Sequence, residues 1–352
     1  MRRILFDCER MKYPDTGLYH YCLNLGRYLE KNTDLRRESI HFYTPPGESR
    51  HFFNDHQHVT QNPLHKFVLP PLTGFDIWHA TYQNTRYMPV LNRKIKVVLS
   101  VHDLNFMYDD KKSPAKKQKY LDHLQQLINR ADAIVCISEF SKADVLKHCD
   151  TGNKPVYVIL NGSNLLEEPE LDEHSYIPGQ PFLFSIGVMQ RKKNYHVLFP
   201  LLQEKKMELV IAGRPDDSQY LQFLRRKSWE MGVEKKVRIL GRITEKEKSW
   251  YFNHCRAFAF PSVSEGFGLP VVEAMSCGKP LFLSELTALP EIGGDVSFYF
   301  KDFNPLHMQQ VFDAGMLSYI TKDMAVKIRE RSRHFCWHRA ARQYLEVYRS
   351  LY

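Results

Sequence analysis

Pro261-Ser-Val-Ser-Glu265-Gly-Phe-Gly-Leu-Pro270-Val-Val-Glu273-Ala-Met-Ser-Cys-Gly278 is the stretch from which the rest of the chain is best read. The residues leading into it, Arg256-Ala-Phe-Ala-Phe-Pro261, suit a short buried strand. Gly266 and Gly268 permit a tight turn in which backbone approaches a ligand closely. Pro270 suits the first turn of a helix and Gly278 its C-terminal stop. The expected order is therefore strand, glycine turn, helix. Such a turn offers backbone N–H groups and the positive end of a helix dipole to an anion. Glu265 and Glu273 would repel a phosphate placed beside them, but they suit hydroxyl groups as hydrogen-bond acceptors. A ligand carrying both phosphates and many hydroxyls is a nucleotide sugar. The competing reading is an ordinary strand–turn–helix with glutamates facing solvent.

Working outward, both halves of the chain alternate short apolar strands with longer helical stretches, the rhythm of parallel sheets covered by helices on both faces. A length of 352 residues suits two such α/β domains. Residues 164–180 are acidic and broken by Pro169 and Pro178, a linker composition. Helices are expected near Tyr195–Glu204, Asp217–Met231 and Glu245–His254, and again from about Lys322 to the end. No apolar run reaches bilayer length, and the first residues do not read as a signal peptide. The seven cysteines show neither a CxxC pair nor zinc spacing, so reduced, often buried thiols in a cytoplasmic protein are expected. Adjacent pairs such as Asp109-Asp110 are not the D-x-D spacing that holds a metal with a nucleotide sugar, and no metal site is expected.

The net charge of +9 favours anionic partners. Most basic clusters read as solvated helix faces; Arg191-Lys192-Lys193 is different. It follows the strand Phe182–Ile186 and Gly187 and precedes a helix, where positive charge opposes the dipole. Transfer from a nucleotide sugar expels a diphosphate, and fixed cations there would stabilise the growing negative charge. Such a local conflict often marks a site. In the first half, Lys96-Val-Val-Leu-Ser-Val-His102-Asp103 ends a buried strand at its carboxyl end, where ligands of open α/β sheets bind. His102 is either placed against a substrate or caps the next turn. Asp15-Thr16-Gly17 lies between the first strand and the first helix, and reads as a close-approach loop or as a plain helix cap.

The stretch Glu265-Gly-Phe-Gly-Leu-Pro-Val-Val-Glu273-Ala-Met resembles the E-x7-E signature of retaining family-4 glycosyltransferases of the GT-B fold. Gly278-Lys-Pro280 and Leu289-Pro-Glu-Ile-Gly-Gly-Asp295 are similar to the blocks that follow it in that family. The resemblance covers nearly the whole chain and is stronger in the second half. It implies two doubly wound Rossmann-like domains with a cleft between them: residues 1–165 on the acceptor side, a linker at 166–180, residues 181–321 holding the nucleotide sugar, and a terminal helix at 322–352 returning to the first domain. It implies a metal-independent, retaining transfer from a nucleoside-diphosphate sugar to a saccharide or lipid-linked saccharide acceptor. In that front-face reaction the leaving phosphate helps to deprotonate the acceptor.

By the same resemblance, Glu265 binds sugar hydroxyls and Glu273 the ribose. Gly266, Phe267, Gly268 and Leu269 form the donor turn, His102 lies near the reacting carbon, Gly17 belongs to the first glycine loop, and Gly213 and Arg242 line the nucleotide. The loop resembles the family's R-K-N ending. Counting back from Asn194 sets Lys193 on the family lysine and Lys192 on the arginine, whereas Arg191 takes that place only after a one-residue shift. Such loops occur among enzymes moving mannose, rhamnose or related sugars in surface polysaccharide assembly. No cofactor beyond the donor and no nucleic acid is expected. Lys111, Lys112, Lys116, Lys117 and Lys119 either form a solvated face or seat the protein on an anionic inner membrane surface. Two other readings stand beside this one: a GT-B relative that hydrolyses or epimerises nucleotide sugars, and a non-catalytic basic protein binding RNA or membrane.

Overall fold

In the computed structural model every residue is described except 15, 53–57, 164–170 and 172–174. The chain forms two units, Met1–Gly162 with Cys336–Tyr352, and Ser163–Phe335. The expected linker at 166–180 falls largely outside the described residues.

The first unit is built on strands β1 (Arg2–Asp7), β2 (Glu38–Thr44), β3 (His58–Thr60), β4 (Ile77–Ala80), β5 (Lys96–Val101), β6 (Ala133–Cys136) and β7 (Val156–Val158). They form one parallel sheet in the order β3-β2-β1-β4-β5-β6-β7. Its central strands are apolar on both faces, with Ile4, Leu5 and Phe6, Val97 to Leu99, and Ala133 to Cys136 all buried, as a sheet covered on both sides requires. Helices α1 (Gly17–Asn32), α2 (Pro114–Arg130) and α3 (Glu139–His148) supply the crossovers. Thr16 caps α1 by accepting from the Tyr19 N–H at 3.2 Å. Neighbours in the chain order diverge on either side of β1, so the switch point lies between β1 and β4.

The second unit repeats this plan with β8 (Phe182–Ile186), β9 (Glu208–Ala212), β10 (Val237–Gly241), β11 (Ala257–Phe260), β12 (Leu281–Ser284) and β13 (Phe298–Phe300). The order β10-β9-β8-β11-β12-β13 is again parallel, with its switch point between β8 and β11. Helices α4 (Ser218–Glu230), α5 (Glu245–His254), α6 (Leu269–Ser276), α7 (Leu289–Gly293) and α8 (Pro305–Thr321) surround it. The helix expected near Tyr195–Glu204 is a 3-10 helix, Tyr195–Leu202, with Pro200 inside it. Proline there has no N–H to donate and disfavours a regular α-helix.

The terminal segment is two helices rather than one. α9 (Met324–Ser332) stays in the second unit, where the Arg331 guanidinium donates to the carbonyls of Glu291 (2.7 Å) and Ile292 (2.8 Å). α10 (Trp337–Ser350) belongs to the first unit and shares its core through Trp337, Tyr344, Leu345 and Tyr348 beside Tyr21 and Leu25 of α1. A buried polar network fixes it. His79 of β4 bonds the Tyr348 hydroxyl at 2.6 Å and the Ser100 hydroxyl at 2.8 Å; Tyr21, Ser100 and Tyr344 hydroxyls bond one another at 2.7–3.0 Å. Burial pushes the His79 pKa down to about 3, so its imidazole is neutral and both nitrogens are satisfied.

Candidate functional site

At the carboxyl ends of β8, β9, β10 and β11 the second unit's loops are tied edge to edge. The Gly187 N–H donates to Ala212 O (3.0 Å), Gly213 N–H to Gly241 O (2.7 Å), and Val263 N–H to Lys192 O (2.8 Å). Gly213 has φ +136, and a Cβ on it would stand 2.0 Å from the Gly187 carbonyl oxygen, so loop packing alone demands a glycine there. These ties hold the Arg191–Lys193 turn, a 3-10 turn ended by Asn194 in the left-handed region (φ 57), against the loop that carries Glu265.

The turn directs its basic residues differently. Lys193 points inward: its Nζ lies 2.6 Å from Glu265 Oε1 and 4.6 Å from the centre of the Phe260 ring, and the two side chains are only 10% and 12% exposed. Burial is the largest influence on both charges. On Glu265 it acts upward, but the positive charges of Lys193 and Lys192 outweigh it and hold the carboxyl below its ordinary range. On Lys193 burial acts downward and, with repulsion from Lys192, outweighs the attraction of Glu265, so the ammonium holds its proton less tightly than an exposed lysine. Arg191 lies elsewhere, exposed, with its guanidinium over the rings of Phe223 (5.0 Å) and Tyr220 (5.9 Å) of α4. The second cation acting on Glu265 is thus Lys192.

Glu265 is held from two further sides. Its backbone N–H donates to Thr287 Oγ1 at 3.0 Å, and Thr287 is itself in the left-handed region (φ 56), a strained place for a β-branched residue. Ser262, fully buried, lies close enough for its hydroxyl to favour the ionised carboxylate, although it is not in hydrogen-bond geometry with any described group.

Gly266, Phe267 and Gly268 then turn the chain into α6. Gly268 has φ +112, Phe267 is buried edge-on against Phe335 at 5.7 Å, Leu269 opens the helix, and Gly278 (φ +68) follows its end. Glu273 comes one turn into α6 and meets a partner from α5: Lys248 Nζ lies 2.8 Å from Glu273 Oε1 and 2.7 Å from Glu245 Oε2. Burial opposes the charge on Lys248, but the two carboxylates overcome it and raise its pKa. Lys248 escaped the sequence reading because nothing in Glu245-Lys-Glu-Lys248 tells which lysine turns toward α6. Arg242 is exposed just past β10.

In the first unit His102 sits past the end of β5, buried, with its ring edge-on to Tyr21 at 4.5 Å. Its Nε2 is 2.8 Å from the carbonyl oxygen of Thr81, its N–H donates to Gln83 Oε1 (3.1 Å), and its carbonyl accepts from Ser141 Oγ (2.8 Å). Burial pushes its pKa down to about 4. A neutral ring whose Nε2 faces a carbonyl must carry its proton there, which leaves the lone pair on Nδ1. Arg10, which the sequence reading passed over, is near enough for its charge to act on His102 and lies over the Tyr82 ring at 4.5 Å. Gly17 opens α1, and a Cβ there would stand in open space, so nothing within the unit requires glycine; Asp15 lies outside the described residues. Of the lysine run, Lys112 is paired with Asp109 and Lys117 donates to the Met107 carbonyl (2.7 Å), while Lys111, Lys116 and Lys119 are exposed. Among the described residues no helix is long and apolar enough to cross a membrane, and no group of three or more His, Cys, Asp or Glu is placed to hold a metal ion.

Residues 17–165 match the family described as Glycosyltransferase Family 4, and residues 167–309 match Glycosyl transferases group 1. The O-antigen chain mannosyltransferase B of Escherichia coli is 23% identical over 99% of this chain and 100% of its own length. Among solved structures, a sucrose-phosphate synthase from Thermosynechococcus elongatus superposes with a TM-score of 0.75 at 19% identity, covering 100% of this chain and 99% of that one. Anabaena HepE in complex with UDP-glucose does so with a TM-score of 0.72 at 18% identity, covering 99% and 100%. These likenesses show the GT-B fold. With both halves matched, the chain belongs to glycosyltransferase family 4, whose members are retaining enzymes.

Proposed function

We propose that this glycosyltransferase moves a hexosyl residue, mannose first among the candidates, from a nucleoside-diphosphate sugar to a hydroxyl of a surface polysaccharide or its lipid-linked precursor. The observation that carries the reading is the buried Lys193–Glu265 pair at the ends of β8 and β11, beside Lys192. In the reaction the bond from the anomeric carbon to the phosphate oxygen breaks and the diphosphate leaves with the electron pair. The acceptor oxygen bonds to the same carbon, and its proton passes to the departing phosphate oxygen. In this reading Lys193 and Lys192 counter the charge that develops on the leaving group, taking the role of a metal ion. Glu265, kept ionised, can only accept hydrogen bonds, and so suits the sugar hydroxyls. Glu273, set by Lys248, is assigned to the ribose. In the first unit, His102 Nδ1 is an acceptor for a sugar hydroxyl.

Mannose and a polysaccharide acceptor are supported by the name of the E. coli relative, and a nucleotide-sugar donor by the family and by the UDP-glucose complex of HepE. The exposed Lys111, Lys116 and Lys119 support a peripheral seat on an anionic inner membrane face, each lysine adding about 1 kcal/mol near such a surface. Changing the three to glutamine should reduce binding to anionic vesicles, and unchanged binding would remove them from that role.

The function itself is tested by incubating the protein with UDP-, GDP- and dTDP-linked hexoses, with and without saccharide acceptors, and following anomeric configuration by NMR. One donor should be consumed rapidly only with acceptor present, with configuration retained. Consumption at the same rate without acceptor would assign the protein to nucleotide-sugar hydrolysis instead.

A further inference from the structure

The first unit carries a cavity of about 410 Å³ that the proposed chemistry does not use, between the segment joining β4 to β5 and the last turns of α2. Its lining combines Met88, Val90 and Leu127 with the guanidinium groups of Arg86, Arg93 and Arg130, and contains no carboxylate. Arg130 is the fixed member. It is buried, and donates from Nε to Pro89 O (2.9 Å) and from Nη2 to Asn92 O and Ile95 O (2.8 Å each), clamping the segment that bears Arg93. Asp132 lies 3.5 Å from its Nη1. Burial lowers the Arg130 pKa; Asp132 opposes that, and the charge of Arg93 adds to it. Arg86 and Arg93 are exposed, and neither makes a hydrogen bond or ion pair with any described residue.

Arg130 is compensated by Asp132, so the charges left for an anion entering the cavity to answer are those of Arg86 and Arg93. Guanidinium forks match phosphate oxygens in geometry as well as charge. An apolar element stands in the same stretch: Leu91 is 88% exposed and Val90 55%, between Arg86 and Arg93 in the chain.

We infer that this cavity binds a phosphate ester, its oxygens held by Arg86 and Arg93 and its apolar part lying against Met88, Val90 and Leu127. The ester is either the headgroup of a membrane lipid or a free phosphate compound, since both present the same oxygens to the arginines. The site shares no residue with the donor and acceptor assignments above and stands without them.

Two arms test it, each comparing wild type with the Arg86→Gln, Arg93→Gln double variant. In the first, inorganic phosphate is titrated calorimetrically; any binding in the second unit is common to both proteins and cancels in the comparison. In the second, flotation with phosphatidylglycerol vesicles is compared with flotation on phosphatidylcholine vesicles, adding a Leu91→Gln protein. The double variant should bind phosphate or anionic vesicles at least about tenfold more weakly, the loss expected for charge-assisted bonds to phosphate. Its transfer to a soluble acceptor should be unchanged, which establishes that it is folded. Loss in the phosphate arm alone assigns a free ester, and loss in the vesicle arm deepened by Leu91→Gln assigns a lipid. Equal behaviour of wild type and double variant in both arms overturns the inference.

Discussion

Removing the charges of Lys193 and Glu265 singly and together separates a fold-holding ion pair from a reaction site. Both side chains are nearly buried and their charged atoms are 2.6 Å apart. Deleting one partner of such a pair leaves the other uncompensated, at a cost of about 3–5 kcal/mol. Lys193→Met should fall at the lower end, because Lys192 still acts on Glu265. Glu265→Gln leaves Lys193 buried beside a second cation and should cost more. In a unit of this size each kcal/mol lowers Tm by about 2–4 °C, so shifts of roughly 6–20 °C are expected. The double variant, Lys193→Met with Glu265→Gln, buries no orphan charge and should regain most of that loss. Turnover should behave otherwise. Without the cation and the carboxylate the leaving group and sugar lose their partners, and all three variants should fall by about 10²–10³-fold, the order seen when a single transition-state donor is removed. Calorimetric Tm and initial rates per folded molecule, measured on the same four proteins, decide the matter. A double variant that regains turnover along with stability would refute the assignment and leave the pair a structural contact.

The two lowered pKa values give opposite signatures in pH. Glu265, depressed on folding, contributes stability above the ordinary glutamate pKa of about 4.3 that is lost as pH falls through its lower folded value, and an acid titration of Tm should show that loss in wild type but not in Glu265→Gln. Lys193 is the reverse: its buried charge costs stability, so as pH rises from its lowered folded pKa toward about 10.4 the fold should gain while transfer declines; transfer that holds to the ordinary lysine range would contradict the role. Glu273→Gln and Lys248→Met should each weaken nucleoside-diphosphate binding by about tenfold or more in calorimetry, because each breaks the same buried acceptor arrangement. His102→Ala should cut transfer strongly and leave nucleoside-diphosphate affinity unchanged, whereas a purely capping histidine would lower Tm and spare turnover. Transfer should persist in excess chelator, and a magnesium or manganese requirement would show that Lys192 and Lys193 do not replace an ion.

What the sequence made legible is local. Glu265, the glycine turn and Pro270 lie within one strand–turn–helix, and Gly278 adopts φ +68 just past the helix, a stop that a local pattern announces. The alternation of apolar strands and helices likewise points to two parallel sheets, although the three-residue edge strands β3 and β13 are too short to announce themselves. What stayed hidden depends on which strands become neighbours. Lys193 meets Glu265 only because β8 and β11 pair, and Lys248 meets Glu273 only because α5 packs beside α6. The contest between Arg191 and Lys192 was likewise open in one dimension; a 3-10 turn closed by Asn194 sends the first onto the Phe223 ring and leaves the second near Glu265. His79 carried no signal in the sequence, because its partners Ser100 and Tyr348 are 21 and 269 positions away. Pro200, by contrast, stands in plain view inside the helix expected at 195–204, and its missing N–H is the reason that segment is a 3-10 helix instead.

If Lys192 and Lys193 hold a diphosphate as proposed, the charge balance at their turn gives a reason for a carboxylate to stand among them. A buried ion pair is a poor way to stabilise a fold, since desolvation offsets most of the attraction. The unit has an extensive apolar core of its own, from Leu183 through Met316. Glu265 works against the burial that loosens the Lys193 proton, and holds the ammonium at one position. An ammonium has three N–H donors, and only one is used by Glu265 Oε1. The remaining donors and Lys192 leave the turn with surplus positive charge, which grows in value as the leaving group becomes more negative. Interactions that strengthen along the reaction in this way lower its barrier, while those equally strong at the start do not. A lysine serves this better than an arginine would: its proton affinity depends on its neighbours, so a diphosphate that docks beside it tightens the hold on the very proton that makes it a cation.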